Sequence, residues 1–360
     1  MTGRERLNAV LRGEAKDRLP WTTLVDGATL SLLPPGLGIG NCIDFCRHIG
    51  CDVFLLNGWS TAFEFRSPEL RWGPETRVRT SRQGEEQTVN WETPRGRLTA
   101  VLRRGHPCKY PVDSPEALRV YREMWEAAAY VAHDDAETFR AVDALVGTSG
   151  IVTRFWGPST IPRLLEIDMG VENFYALYCD HPEEMDGLIN LMHARELPAF
   201  GHLAAGPCSS VTLIENTSTS YISPEVYAKY NMPHQRDFVA AVHGAGKAAL
   251  LHMCGHVRAL LELIRETGCD GIHALTPPAT GNTPWELALD VLGEDLVILG
   301  CLDPATWIAG DIRGIPAALD RLITPRLREA NFVLHPFADG IPVPLERFQA
   351  VARWVERSQP

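Results

Sequence analysis

The sequence predicts an α/β fold, an eightfold parallel (β/α)8 TIM barrel carrying an antiparallel β insertion in its N-terminal part. Three observations predict it. Short apolar runs alternate with segments of helical period along most of the 360 residues. Eight such runs can be counted, the number that closes a parallel ring. Their C-terminal ends collect polar, chemistry-bearing residues, as the mouth of such a ring does.

Taken in order, GRERLNAVLRGEAKDRLP opens with an amphipathic helix, and LPWTTLV at 19–25 reads as the first strand. Asn41 caps a helix over NCIDFCRHIG, and DVFLLNG at 52–58 is the second strand. FEFRS, TRVRTS, EQTVNWE and RGRLTAVLR then alternate with period two between Gly and Pro breaks, predicting a β-meander inserted at 60–105 of a single 1–360 domain. SPEALRVYREMWEAAAYVA and DAETFRAVDALV are expected helices, with a third strand at 150–156. The remaining strands are expected at 209–215, 248–253, 271–276, 296–303 and 331–336, with a helix in each interval.

Composition narrows the function. Asp and Glu number 45 against 34 Lys and Arg, a net charge of -11, which disfavours nucleic acid and anionic membranes as partners. A small molecule or another protein is the expected partner. Nine cysteines stand singly, without the spacing of a secreted disulfide scaffold, and no run of about 18 apolar residues occurs. A polar amphipathic N-terminus adds to the expectation of a cytoplasmic protein. No G-x-G-x-x-G, Walker lysine or G-x-S-x-G is present.

The expected strand ends carry Asp26, Asn57, Arg154, Glu215, His252 with Cys254, His273, Cys301 with Asp303, and His335 followed by Asp339. In extended chain, residues two apart project to one side, so His252 and Cys254 both face the mouth on this reading. Imidazole with thiolate suits Zn²⁺, and an open catalytic site needs about three protein ligands. Glu215, Asn216 and His273 are the candidate catalytic residues, the first two to orient a ligand or protonate a leaving oxygen. Arg154 could pair with a substrate carboxylate, while Trp59, Trp156 and Tyr221 adjoin polar strand ends and could stack on a flat ligand.

Five stretches carry a family resemblance: TGRERLNAVLRGEAKDRLP, SYISPEVYAKYNMP, LLHMCGHVRALLELIRETGCDGIHALTPPATGN, GCLDP, and HPFADGIPVPLERFQAVARWVE. Through them the chain resembles the uroporphyrinogen decarboxylase superfamily and, within it, the corrinoid-dependent methyltransferases. The decarboxylase itself is disfavoured, because the Arg-rich substrate motif of that enzyme has no counterpart around LPWTTLVDGATL. The resemblance implies Zn²⁺ held by a His-x-Cys pair and a second cysteine from the last loop, and a corrinoid (cobalamin) bound to a partner protein. His252 and Cys254 match the pair. The second cysteine is missing, since Phe337-Ala338-Asp339-Gly340-Ile341 stands where the branch often has Gly-Cys-Gly-Ile. Asp339 is then the nearest substitute, with Cys301, His273 and Glu215 as competitors.

A harder oxygen ligand leaves a more electron-poor metal than two thiolates do. That favours polarising an ether oxygen, and so an O-demethylase that passes methyl from a small methoxylated, aromatic donor to the corrinoid protein. The alternative is a methylcobamide:thiol methyltransferase of the coenzyme M type, in which zinc stabilises a thiolate. A metal-free lyase using Glu215 and His273 as acid and base, and a barrel that binds a ligand without turnover, complete the possibilities.

Overall fold

Seven strands of one parallel sheet give the chain its architecture. The computed structural model describes residues 1–63, 65, 67–338 and 340–358. In chain order the strands of the molecule are β1 (Val53–Leu56), β2 (Glu69–Arg71), β3 (Arg77–Gln83), β4 (Glu86–Thr93), β5 (Gly96–Arg103), β6 (His106–Lys109), β7 (Ala129–Val131), β8 (Gly150–Trp156), β9 (Ser210–Ile214), β10 (Ala248–His252), β11 (Gly271–Leu275), β12 (Val297–Cys301) and β13 (Phe332–His335). The parallel sheet runs β1-β8-β9-β10-β11-β12-β13. Contacts divide the chain into two compact units: residues 1–65, 134–156 and 204–360, and residues 66–133 with 157–203.

The first unit holds the whole parallel sheet. Its strands β1, β11, β12 and β13 are buried along their full length, which is why they read as unbroken apolar runs and not as alternating ones. The open edges of β13 and β1 are joined by residues 20–22. Trp21 makes a parallel bridge to Leu334, the Thr22 amide donates to Leu334 O (2.9 Å) and the Asp52 amide to Trp21 O (2.9 Å). An eighth stave thus closes the ring. It is far shorter than the strand expected at 19–25. Pro20 has no N–H, and Thr22 reaches the amide of Phe54 with its Oγ1 (3.1 Å).

The helix Gly3–Leu11 begins with a capping box between Thr2 and Glu5 and passes close to the start of β8. A Cβ at Gly3 would lie 2.1 Å from Ser149 O, so only glycine allows this approach. Asn41 caps the helix Cys42–Ile49 through the Asp44 amide (2.9 Å), as expected. Late helices cover the sheet with one apolar face, Ala288, Leu289 and Leu292 in Trp285–Leu292 and Phe348, Val351, Trp354 and Val355 in Leu345–Arg357.

The second unit contains the antiparallel elements. β3, β4, β5 and β6 form a meander, and β2 pairs with β7. The helix expected to continue through AAAYVA stops at Glu126, and residues 129–131 become β7. Tyr130 and Val131 suit a strand, and their partner at 69–71 is too distant in sequence for local pattern to reveal. Glu64 and Arg66, inside the expected FEFRS strand, lie outside the described residues. No helix among the described residues is long and apolar enough to cross a membrane.

Candidate active site at the barrel mouth

His252 is the last residue of β10, level with Ile214 of β9 and His273 of β11. Its carbonyl accepts from the amides of Glu215 (3.1 Å) and Asn216 (3.0 Å), which fixes where the β9 chain leaves the sheet. Asn216 makes that exit with a left-handed φ of 43°. After His273 the pairing with β12 slips by one residue, and Ala274 takes φ 67°.

These strand ends bring three imidazoles together. His252 Nδ1 lies 2.6 Å from His273 Nδ1, and the ring centroids of His252–His273 and His273–His335 are 4.9 and 5.0 Å apart. Aromatic rings enclose them. Phe155 meets His252 and His273 edge-on, Phe54 stacks beside His273, and Phe337 meets His335. Burial disfavours the charged imidazolium, so His252 is pushed down to about 4 and His335 to about 3, the latter helped by the neighbouring His252. Burial, then His252 and His335, hold His273 well below its ordinary value. All three are neutral at physiological pH. His273 Nε2 and both ring nitrogens of His335 have no hydrogen-bond partner among the described residues.

Two thiols stand at the same end. Cys254 is exposed and Cys301 buried, and the two are near enough to interact electrostatically. Burial raises Cys301 to about 12, with Cys254 and Asp303 adding to the rise against hydrogen bonds involving Thr276 and Phe337. Cys301 is level with His335 in the β12–β13 pairing.

The loops above are stitched to one another. His256 Nε2 lies 3.0 Å from Thr280 O, its Nδ1 lies 3.3 Å from Ser220 Oγ, and its amide donates to Ser218 Oγ (3.1 Å). Asp303 accepts from the amides and hydroxyls of both Thr280 and Thr306 at 2.7–3.2 Å. Burial raises its pKa, and those hydrogen bonds outweigh burial and leave it lowered.

The other expected residues lie in different surroundings. Glu215 is fully buried, and its Oε2 accepts from Gln235 Nε2 (2.7 Å) and Asn231 Nδ2 (3.2 Å) on the following helical segment. The Asn216 carbonyl accepts from the Tyr221 hydroxyl. Arg154 projects away from the histidines. Its guanidinium grips Asp135, with one bond of 2.6 Å, and sits over the rings of Phe65 (4.9 Å) and Phe139 (5.3 Å). Trp59 Nε1 donates to Val25 O (3.2 Å), and Trp156 is half-buried at the end of β8. Asp339 lies outside the described residues. Sequence reasoning had no means of singling out Phe54, which reads as ordinary core, and counted His335 among the metal-ligand types on the rim without pairing it with His273.

The donor chemistry suits zinc, with a neutral imidazole and two sulfurs at one end of the ring. The described residues do not complete the set. Among them, no group of three or more His, Cys, Asp or Glu side chains is arranged to hold a metal ion, and His252 Nδ1 is already turned onto His273.

A closed α/β ring with polar chemistry at the strand C-termini defines a barrel of the enzyme-bearing kind. The model of the uroporphyrinogen decarboxylase (URO-D) family matches residues 137–357, and the chain belongs to that family. It is similar to the methylcobamide:CoM methyltransferase MtbA of Methanosarcina acetivorans, with 22% identity over 190 residues, 52% of this chain and 47% of that protein. The chain thus matches about half the length of this curated relative. The fold is also that of a solved methyltransferase from Methanosarcina mazei, at a TM-score of 0.62 and 12% identity over 99% of both chains.

Proposed function

We propose that the chain is a corrinoid-linked methyltransferase, moving a methyl group between a small methylated compound and the cobalt of a corrinoid carried by a partner protein. The reading rests on the URO-D-family match, on His252 ending β10 with Cys254 two residues further on, and on Cys301 lying near enough to Cys254 to interact electrostatically. Similarity to a protein named for methyl transfer between a methylcobamide and coenzyme M supports it.

His252 and Cys254 would hold a zinc ion, with Cys301 or Asp339 completing the set, and the metal would supply Lewis acidity at the substrate heteroatom. His252 is suited to this because burial keeps its ring unprotonated. Phe155 and Phe54 pack against the imidazoles beneath the mouth. Trp59, Trp156 and Tyr221 are the rings offered to an aromatic donor.

In the O-demethylase direction the methyl–oxygen bond breaks, its electron pair stays on oxygen, and the methyl carbon takes the electron pair of reduced cobalt on the partner. A second reading, methyl transfer from the corrinoid to a thiol, is favoured by the name of the relative and by Cys301, a second sulfur on the same rim. Both directions are tested on one zinc-loaded preparation, with an aryl methyl ether plus cob(I)alamin and with methylcobalamin plus a thiol. About one zinc per chain and turnover in one direction are expected, both lost in His252→Ala and Cys254→Ala. Failure of the loaded, folded protein to move methyl in either direction overturns the reading.

A further inference from the structure

His252, His273 and His335 stand on β10, β11 and β13 and form a line of rings inside the sheet, with centroids 4.9 and 5.0 Å apart. A neutral imidazole carries one N–H and one lone pair. The 2.6 Å contact between Nδ1 of His252 and Nδ1 of His273 therefore consumes one proton and one lone pair. It follows that these two rings hold opposite tautomers: whichever is protonated on Nδ1, the other is protonated on Nε2.

Three nitrogens remain, Nε2 of His273 and both of His335. All are buried, and none has a partner among the described residues. His335 always presents one N–H and one lone pair, and His273 adds one or the other. Polar groups this deep are rarely left unmade. Chloride could accept from the N–H but not donate to the lone pair, and a metal ion could do only the reverse. A neutral group that both donates and accepts, water or a hydroxyl, can serve His273 Nε2 together with one of the two diverging nitrogens of His335 whichever tautomers they hold, and so makes the two contacts a buried water needs.

We infer that one water-sized guest is bound between His273 and His335, and that the chain His335–guest–His273–His252 holds His252 with its Nδ1–H on His273 and its Nε2 lone pair facing away. The opposite tautomers of His252 and His273 follow from their contact alone, and the guest from the unpartnered nitrogens beside it. Its direction rests on the reading of His252 as a metal ligand, because a ligand needs its lone pair on the nitrogen that His273 does not occupy. His273 then acts through His252 and is a positioning residue, not one that touches substrate.

The first test is imidazole ¹⁵N NMR on the metal-free full chain at neutral pH. Expected is a His252 protonated on Nδ1 and a His273 protonated on Nε2 with a slowly exchanging proton. The same tautomer in both rings, or rapid averaging in His252, overturns the chain. Opposite tautomers with the Nδ1 proton on His273 overturn its direction. The second test is zinc affinity by chelator competition. His273→Phe is expected to weaken binding 10- to 100-fold. His273→Asn, which keeps an acceptor near the Nδ1 position, is expected to recover most of that loss. Wild-type affinity in His273→Phe overturns the positioning role. Should His273→Phe not fold, His273→Asn and the unmodified chain still decide. If the unmodified chain binds no zinc, the functional reading fails while the NMR result continues to judge the imidazole chain.

Discussion

Gly255 backs directly onto Ser218: a Cβ added at position 255 would lie 2.5 Å from the Ser218 Cβ and 2.5 Å from the Thr217 carbonyl oxygen. The residue after Cys254 is therefore a glycine because two mouth loops touch there, and Cys254 takes its position from that touch. Gly255→Ala is expected to force the loops apart at a cost of about 1–3 kcal/mol. Urea unfolding should show the lost stability, and chelator competition a weaker zinc affinity. Unchanged values in both would mean that the loops part freely and do not hold Cys254.

Arg154 is expected to behave as a structural cation. Arg154→Met leaves the half-buried Asp135 without its cation and removes the charge over Phe65 and Phe139, a loss of up to about 3 kcal/mol for a pair buried on the arginine side. The double variant Arg154→Met/Asp135→Leu should recover most of that in thermal melts. A large rise in donor KM in the still-folded single variant would instead return Arg154 to the substrate.

The depressed His335 gives the metal-free chain a pH dependence of known sign. In the unfolded chain the ring binds a proton below about 6.5, whereas in the folded chain it stays neutral down to about 3. Its contribution is intact above about 6.5 and is lost as the pH falls through that value. The slope it adds is at most about 1.4 kcal/mol per pH unit. Unfolding curves at pH 7, 6 and 5 should therefore fall more steeply for the unmodified chain than for His335→Phe, and parallel curves would contradict the assignment.

Asp303 holds the loop after β11 through two hydrogen bonds from Thr280, and the turn after β12 through two more from Thr306. Asp303→Ala leaves those donors without their acceptor, at about 1–3 kcal/mol for each one that stays buried. Hydrogen exchange at the Thr280 and Thr306 amides should quicken by more than tenfold relative to amides in β10.

Much of the ring was legible in the sequence, for a physical reason. Strands sandwiched between the ring interior and its helices must be apolar on both faces, so 210–214, 248–252, 271–275 and 297–301 stand out as short continuous runs. Caps were legible too, because Asn41 acts on its own near neighbours. What a strand end faces was not legible. Arg154 and Phe155 are adjacent, yet one points to Phe139 and the other to His252, and only the pairing register decides which goes where. The same holds for Glu215, which looked like a candidate acid and is bound to Gln235 and Asn231. His335 could be named as a strand end, but its place beside His273 depends on two intervening strand pairings.

The stave at residues 20–22 also sets an order of events during synthesis. Its partner Leu334 is made more than 300 residues later, so Trp21 waits beside Asp52 with one flank open until β13 has been synthesised. Ring closure accordingly waits for residues 332–335, and a nascent chain stalled before Phe332 presents exposed strand margins at both β12 and Trp21, the form in which chaperones and proteases would meet it.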